Sequence, residues 1–111
     1  MNRNSDKAVD NTHTGNNGDR YRAVFPNRHT LLPVIHAETE EQVLCNADIA
    51  REAGCDGIFL INHAISAQNL LEIHRAVVNT YPDWWVGVNC LSVATEDVFG
   101  MLPAGVDGVW A

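Results

Sequence analysis

One short motif occurs twice in this chain. Ala53-Gly54-Cys55-Asp56-Gly57-Ile58-Phe59-Leu60 is echoed, about fifty residues later, by Ala104-Gly105-Val106-Asp107-Gly108-Val109-Trp110-Ala111. Each copy reads as the end of a helix, a tight turn and the start of a buried strand. Glycine takes the left-handed conformation that closes a helix, and an apolar run without polar alternation suits a strand covered on both faces. Two copies imply a chain built from repeated β and α elements.

The segments between the copies fit that scheme. Leu31 to Ile35 is an apolar run read as the first strand, with Pro33 favouring an edge position because it removes a ladder donor. Thr39 is placed to cap a helix, with Glu40 and Glu41 in its first turn and Gln42 completing a capping box. Val43, Ala47 and Ala50, with Leu44 beside them, form its apolar face. Gly57 to Ile61 is the strongest strand. Ser66 then caps a helix whose stripe is Leu70, Ile73 and Val77, and which Pro82 ends. Trp84 to Val88 is a third strand, Thr95 to about Leu102 a shorter third helix, and Gly108 begins a fourth strand. Residues 1–24, rich in Asn, Asp, Gly, Ser and Thr, offer almost nothing to bury and read as a disordered polar tail, with structure expected from Phe25-Pro26 over residues 25–111.

The order β-α-β-α-β-α-β predicts an α/β fold of parallel (β/α) repeats, with the helices on one side of the sheet if the strands add in order. Eight such units close a barrel in about 250 residues. A chain of 111 residues has room for one domain, holding three βα units and a fourth strand, a partial TIM barrel. The competing Rossmann-like sheet expects a glycine-rich loop after its first strand, where His36-Ala37-Glu38-Thr39 stands instead.

Charge narrows the function classes. A net charge of −7 with seven scattered Lys and Arg argues against nucleic acid and anionic membranes. No apolar stretch approaches the ~20 residues of a membrane span, and the first residues lack the apolar core of a secretory signal. Cys45, Cys55 and Cys90, odd in number and without CxxC spacing, read as free thiols of a reducing, cytoplasmic setting.

In β/α barrels reactive groups lie where strands end. Those positions carry His36 and Glu38 after the first strand, Asn62 and His63 after the second, and Asn89 and Cys90 after the third. Histidine is suited to general acid–base work near neutrality, so His36 and His63 are the candidate catalytic pair, with Glu38, Asn62 and Asn89 as candidate ligand-binding residues. Asn and His are also ordinary turn formers, and each alone is as consistent with structure as with chemistry. His36, Glu38 and His63 include metal-binding side chains, but their spacing matches no metal motif, and no cofactor is indicated. Cys90 reads better as a buried thiol than as a nucleophile. His13, His29 and His74 read as solvent-facing or structural. Asp56 and Asp107 occupy the same place in both copies and are expected to bind backbone N–H groups of the αβ turn.

The segments Leu32-Pro33-Val34-Ile35-His36, Ala53 to His63, Trp85-Val86-Gly87-Val88-Asn89 and Gly105 to Trp110 resemble the opening of a TIM-barrel group similar to the BtpA/SgcQ family, of the ribulose-phosphate-binding barrel class. The resemblance covers about residues 25–111. It implies a barrel of about twice this length whose intact members bind a small metabolite, phosphorylated or not, at the C-terminal strand rim. It implies no particular reaction. Phosphate-binding barrels grip the anion with loops after strands seven and eight, which lie beyond the resemblance. Phosphoribosylanthranilate isomerase is similar too, but expects a catalytic cysteine where His36 stands. The chain is therefore expected to be the N-terminal half of such a barrel. The alternatives are a half-barrel module completed by homodimerisation or by a separate C-terminal half, or a non-functional gene fragment.

Overall fold

The structure, a computed structural model, describes residues 15–26 and 29–110. They fall into two units divided after Thr30, each described by itself. In the first, α1 spans Gly15–Val24. Residues 15–24, expected within a structureless tail, are helical. Arg20, Arg22 and Ala23 are good helix formers, and Tyr21 meets Phe25 one turn on, ring centroids 5.2 Å apart. The expectation for residues 1–14, and for His13 among them, lies outside the described residues. His29 is exposed.

The second unit alternates β1 (Val34–Ala37), α2 (Glu40–Glu52), β2 (Gly57–Asn62), α3 (Ala67–Thr80), β3 (Trp85–Asn89), α4 (Thr95–Met101) and β4 (Gly108–Val109). The four strands form one sheet in the order β1-β2-β3-β4, and every neighbouring pair is parallel. This is an α/β fold of β/α repeats, as the doubled motif required. Both motif glycines have the left-handed backbone expected of them, φ 86° at Gly54 and 96° at Gly105. Cys55 N–H returns to the Ala50 carbonyl to close α2.

Alternation along the strands sorts the side chains into two faces. Ile35, Ala37, Ile58, Leu60, Val86 and Val88 point into a core with Val43 and Ala47 of α2, Leu70, Ile73 and Val77 of α3, and Val98 of α4. Ile58, Leu60, Val86 and Val88 have no exposed surface. Truncating one such aliphatic side chain to alanine costs about 2–5 kcal/mol.

The other face carries aromatic rings over glycine. Phe59 meets Trp85 and Trp110 edge-on, with centroids 5.0 and 5.6 Å apart. A Cβ on Gly87 would come within 2.6 Å of the Phe59 ring and 2.8 Å of the Trp85 ring, and one on Gly108 within 2.5 Å of Trp85. Only glycine admits rings lying this close to the sheet.

The strand starts are tied by side chains. Asp56 Oδ2 accepts from Leu31 N–H at 2.8 Å while Asp56 N–H donates to the Leu31 carbonyl at 3.0 Å. Asp107 does the same to Val86, at 2.9 and 3.2 Å. These carboxylates were expected to bind their own αβ turn. Each clasps the start of the preceding strand, because the register sets each motif beside its neighbour's first residues. Between the two clasps, Trp84 Nε1–H donates to the Cys55 carbonyl at 3.1 Å.

Asp107→Ala leaves the Val86 N–H without its acceptor. It should destabilise the protein by about 1–3 kcal/mol, read as a lower denaturant midpoint with unchanged m-value.

Candidate functional site

The C-terminal ends of the strands gather the candidate residues, and the local sequence explains how. Thr39 accepts from Gln42 N–H at 3.1 Å as the α2 cap. Gln42 does not return to Thr39, as a capping box would. It reaches further back, accepting from Glu38 N–H at 3.0 Å and donating Nε2–H to the His36 carbonyl at 3.1 Å. One glutamine therefore fixes the loop that carries both His36 and Glu38.

His36 and His63 meet. Their rings are stacked, 4.7 Å between centroids and 12° between planes, and both residues are exposed. The register places His36 beside Ile61 and Ile61 beside Asn89, so His36 and half-buried Asn89 lie in one row on the same face. Two strand spacings separate them, about 10 Å. Glu38 is exposed and lines a shallow groove with Thr39, Ile65 and Asn69.

Asn62, expected to face ligand, is used inside the fold. It is 3% exposed. Its Nδ2–H groups donate to the Ile65 carbonyl at 3.0 Å and Ser92 Oγ at 3.2 Å, and its Oδ1 accepts from Leu91 N–H at 2.8 Å. The register puts it on the helix side of the sheet, beside Ala37. It holds the loops after β2 and β3 together, and so positions the mouth from beneath. Cys90 is also buried, which pushes its thiol up from the ordinary value and disfavours the thiolate a nucleophile needs. Among the described residues no group of three or more His, Cys, Asp or Glu is placed to hold a metal. None of their helices is long and apolar enough to cross a membrane.

His74 is the residue that sequence reasoning left unresolved between solvent and structure. It is 1% exposed, inside the α3 stripe between Ile73 and Val77. Nε2 lies 3.3 Å from the Val86 carbonyl, the oxygen that also accepts from Asp107 N–H, and Nδ1 has no hydrogen-bond partner. A ring that donates from Nε2 and carries no proton on Nδ1 is neutral. Burial holds its pKa below the ordinary imidazole value, partly offset by the Val86 carbonyl and the Asp107 charge.

No protein-family model, curated protein or solved structure matches the chain. The site is therefore read from its own geometry.

Because His74 is neutral in the folded protein and its pKa there is depressed, the unfolded chain binds the extra proton first. The stability it contributes is present above the ordinary imidazole value of about 6.5 and is lost as pH falls through the lower folded value. Melting followed from pH 7.5 to 5.5 should show this fall, and His74→Gln should flatten it. An equal slope in both proteins would exclude His74 as its source.

Proposed function

We propose that this chain forms the N-terminal half of a TIM barrel resembling the BtpA/SgcQ group, in the cytoplasm. In this reading it binds a small metabolite at the mouth formed by the C-terminal strand ends. The stacked pair of His36 and His63 carries the proposal. Two exposed imidazoles from adjacent strands meet at the end of the sheet where β/α proteins place their chemistry. Covering each other's faces leaves their ring nitrogens at the edges, accessible to a ligand.

Imidazole both gives and takes a proton near neutrality, so the pair can exchange protons with a bound hydroxyl, carboxylate or phosphate. Asn89, in the same row, supplies an amide for orientation. Glu38 supplies a carboxylate on the loop that Gln42 holds. Asn62 and Gln42 position these groups without touching the ligand. Any particular reaction would depend on groups beyond these four strand ends.

The test is a titration with ribulose 5-phosphate, and separately with inorganic phosphate, followed by the imidazole C–H resonances. His36 and His63 should shift together and saturably. His36→Ala or His63→Ala should weaken binding at least tenfold, about 1.4 kcal/mol, while melting stays within about 0.5 kcal/mol of the parent, as for other exposed positions. Resonances that do not move with either probe would refute a phosphate-recognising mouth.

A further inference from the structure

A titratable group fastens α3 to the sheet. His74 lies at the middle of α3, with Nε2 3.3 Å from the Val86 carbonyl of β3. The same carbonyl accepts from Asp107 N–H at 3.2 Å, and Val86 N–H donates to Asp107 Oδ2 at 2.9 Å. A helix, a strand and the turn leading into the next strand therefore meet at Val86.

This joint holds while the ring is neutral. His74 is 1% exposed, and Nδ1 has no hydrogen-bond partner among the described residues. An imidazolium donates from both nitrogens, and here only Nε2 faces an acceptor. The core that the ring joins receives Ile73 and Val77 from α3, Val43 from α2, Val86 from β3 and Val98 from α4. Nor does charge offer a remedy. On α3 itself Glu72 and Arg75 are exposed, and β2 and β3 carry no charged residue. The charged side chains of α2, from Glu40 to Glu52, are exposed, as are Glu96 and Asp97 of α4. Burial keeps Cys90 in its thiol form. Among the described residues, the carboxylate whose charge bears on the ring is that of Asp107, already engaged with Val86 N–H. A buried cation left with one donor unpaired is costly, and the fold must give way.

We propose that His74 is a proton-operated latch: protonation of its ring releases α3 from β3 and slackens the loop that carries His63. The ring sits at mid-helix, so it reaches water only when α3 lifts from the sheet. A 14-residue helix without its packing partner is marginal in water, so a lifted α3 frays. Ser66 caps α3, and the Ile65 carbonyl just before it accepts from Asn62 Nδ2–H. Lifting therefore pulls on Asn62, whose Oδ1 holds Leu91 N–H. What this does to a ligand rests on the reading of the mouth above, whereas the latch itself does not.

The direction follows from where the proton binds. In the lifted state the ring is in water and takes a proton at about 6.5. In the docked state burial holds its pKa lower. Docking is thus unaffected above that ordinary value and weakens as pH falls below it, until the docked ring is protonated as well. Uptake of one proton makes lifting at most about tenfold more frequent between pH 7.5 and 5.5.

Amide hydrogen exchange of the full chain at these two pH values, corrected for intrinsic rates, tests the latch. Leu70 and Tyr81 amides, bonded to the Ser66 and Val77 carbonyls at the two ends of α3, should lose protection about five- to tenfold on acidification. Leu91 should follow them. Val43 of α2 and Phe59 of β2, bonded to the Thr39 and Pro33 carbonyls, should change by less than about twofold. His74→Gln keeps an N–H for the Val86 carbonyl without a titrating group, and should abolish the difference. If that variant does not fold, His74→Leu, which completes the aliphatic stripe, takes its place. An equal loss at all these amides would mean global unfolding and overturn the latch. So would no loss in the parent, or an undiminished loss in the variant. Protection kept at Leu91 while α3 loses it would overturn the link to the mouth. Imidazoles at positions 36 and 63 that ignore both phosphate probes would overturn the reading of the mouth and leave the latch standing.

Discussion

The ladder between β2 and β3 is the contact on which the rest of the 31–110 unit depends. It sets Gly57 beside Trp85 and Ile61 beside Asn89, and one face of it, through Ile58, Leu60, Val86 and Val88, is sealed by α3 and its neighbours. The candidate site lies around the ends of that ladder and of β1 beside it. At the lower end Trp84 and the two aspartates hold the strand starts in register. At the upper end Asn62, His63 and Asn89 leave the sheet together. Strand alternation does the sorting: residues one apart go to opposite faces, so His63 can stack on His36 while Asn62 turns beneath.

Much of this was legible in the sequence because the signals were local. Glycines 54 and 105, the caps Thr39 and Ser66, and the stripes of α2 and α3 act within a turn or two of themselves. The first strand was misplaced by a few residues, expected over Leu31 to Ile35 and found over Val34–Ala37. Pro33 lacks an N–H and contributes only its carbonyl, which accepts from Phe59 N–H at 2.9 Å, so regular pairing begins after it. Its edge position is as the missing donor required.

What escaped was set by distant partners. The fate of Asn62 depends on Leu91 and Ser92, some thirty residues away, and no local pattern announces it. His74 did leave a signal: positions 70, 73, 74 and 77 are one helical face, and three of them are aliphatic. A polar residue completing an apolar stripe is a buried one unless the stripe is broken. The pairing of His36 with His63 followed from the general rule that strand ends in a parallel sheet converge, whereas their stacking is a matter of side-chain rotamers.

Asn62 has a mechanical consequence as well. A single amide fastens the turn at Ile65 and the turn at Leu91-Ser92, so neither can shift without stretching a hydrogen bond to the other. Disturbance of one loop is transmitted to its neighbour through one buried side chain. The two walls of the opening therefore behave as a single moving part rather than as independent flaps.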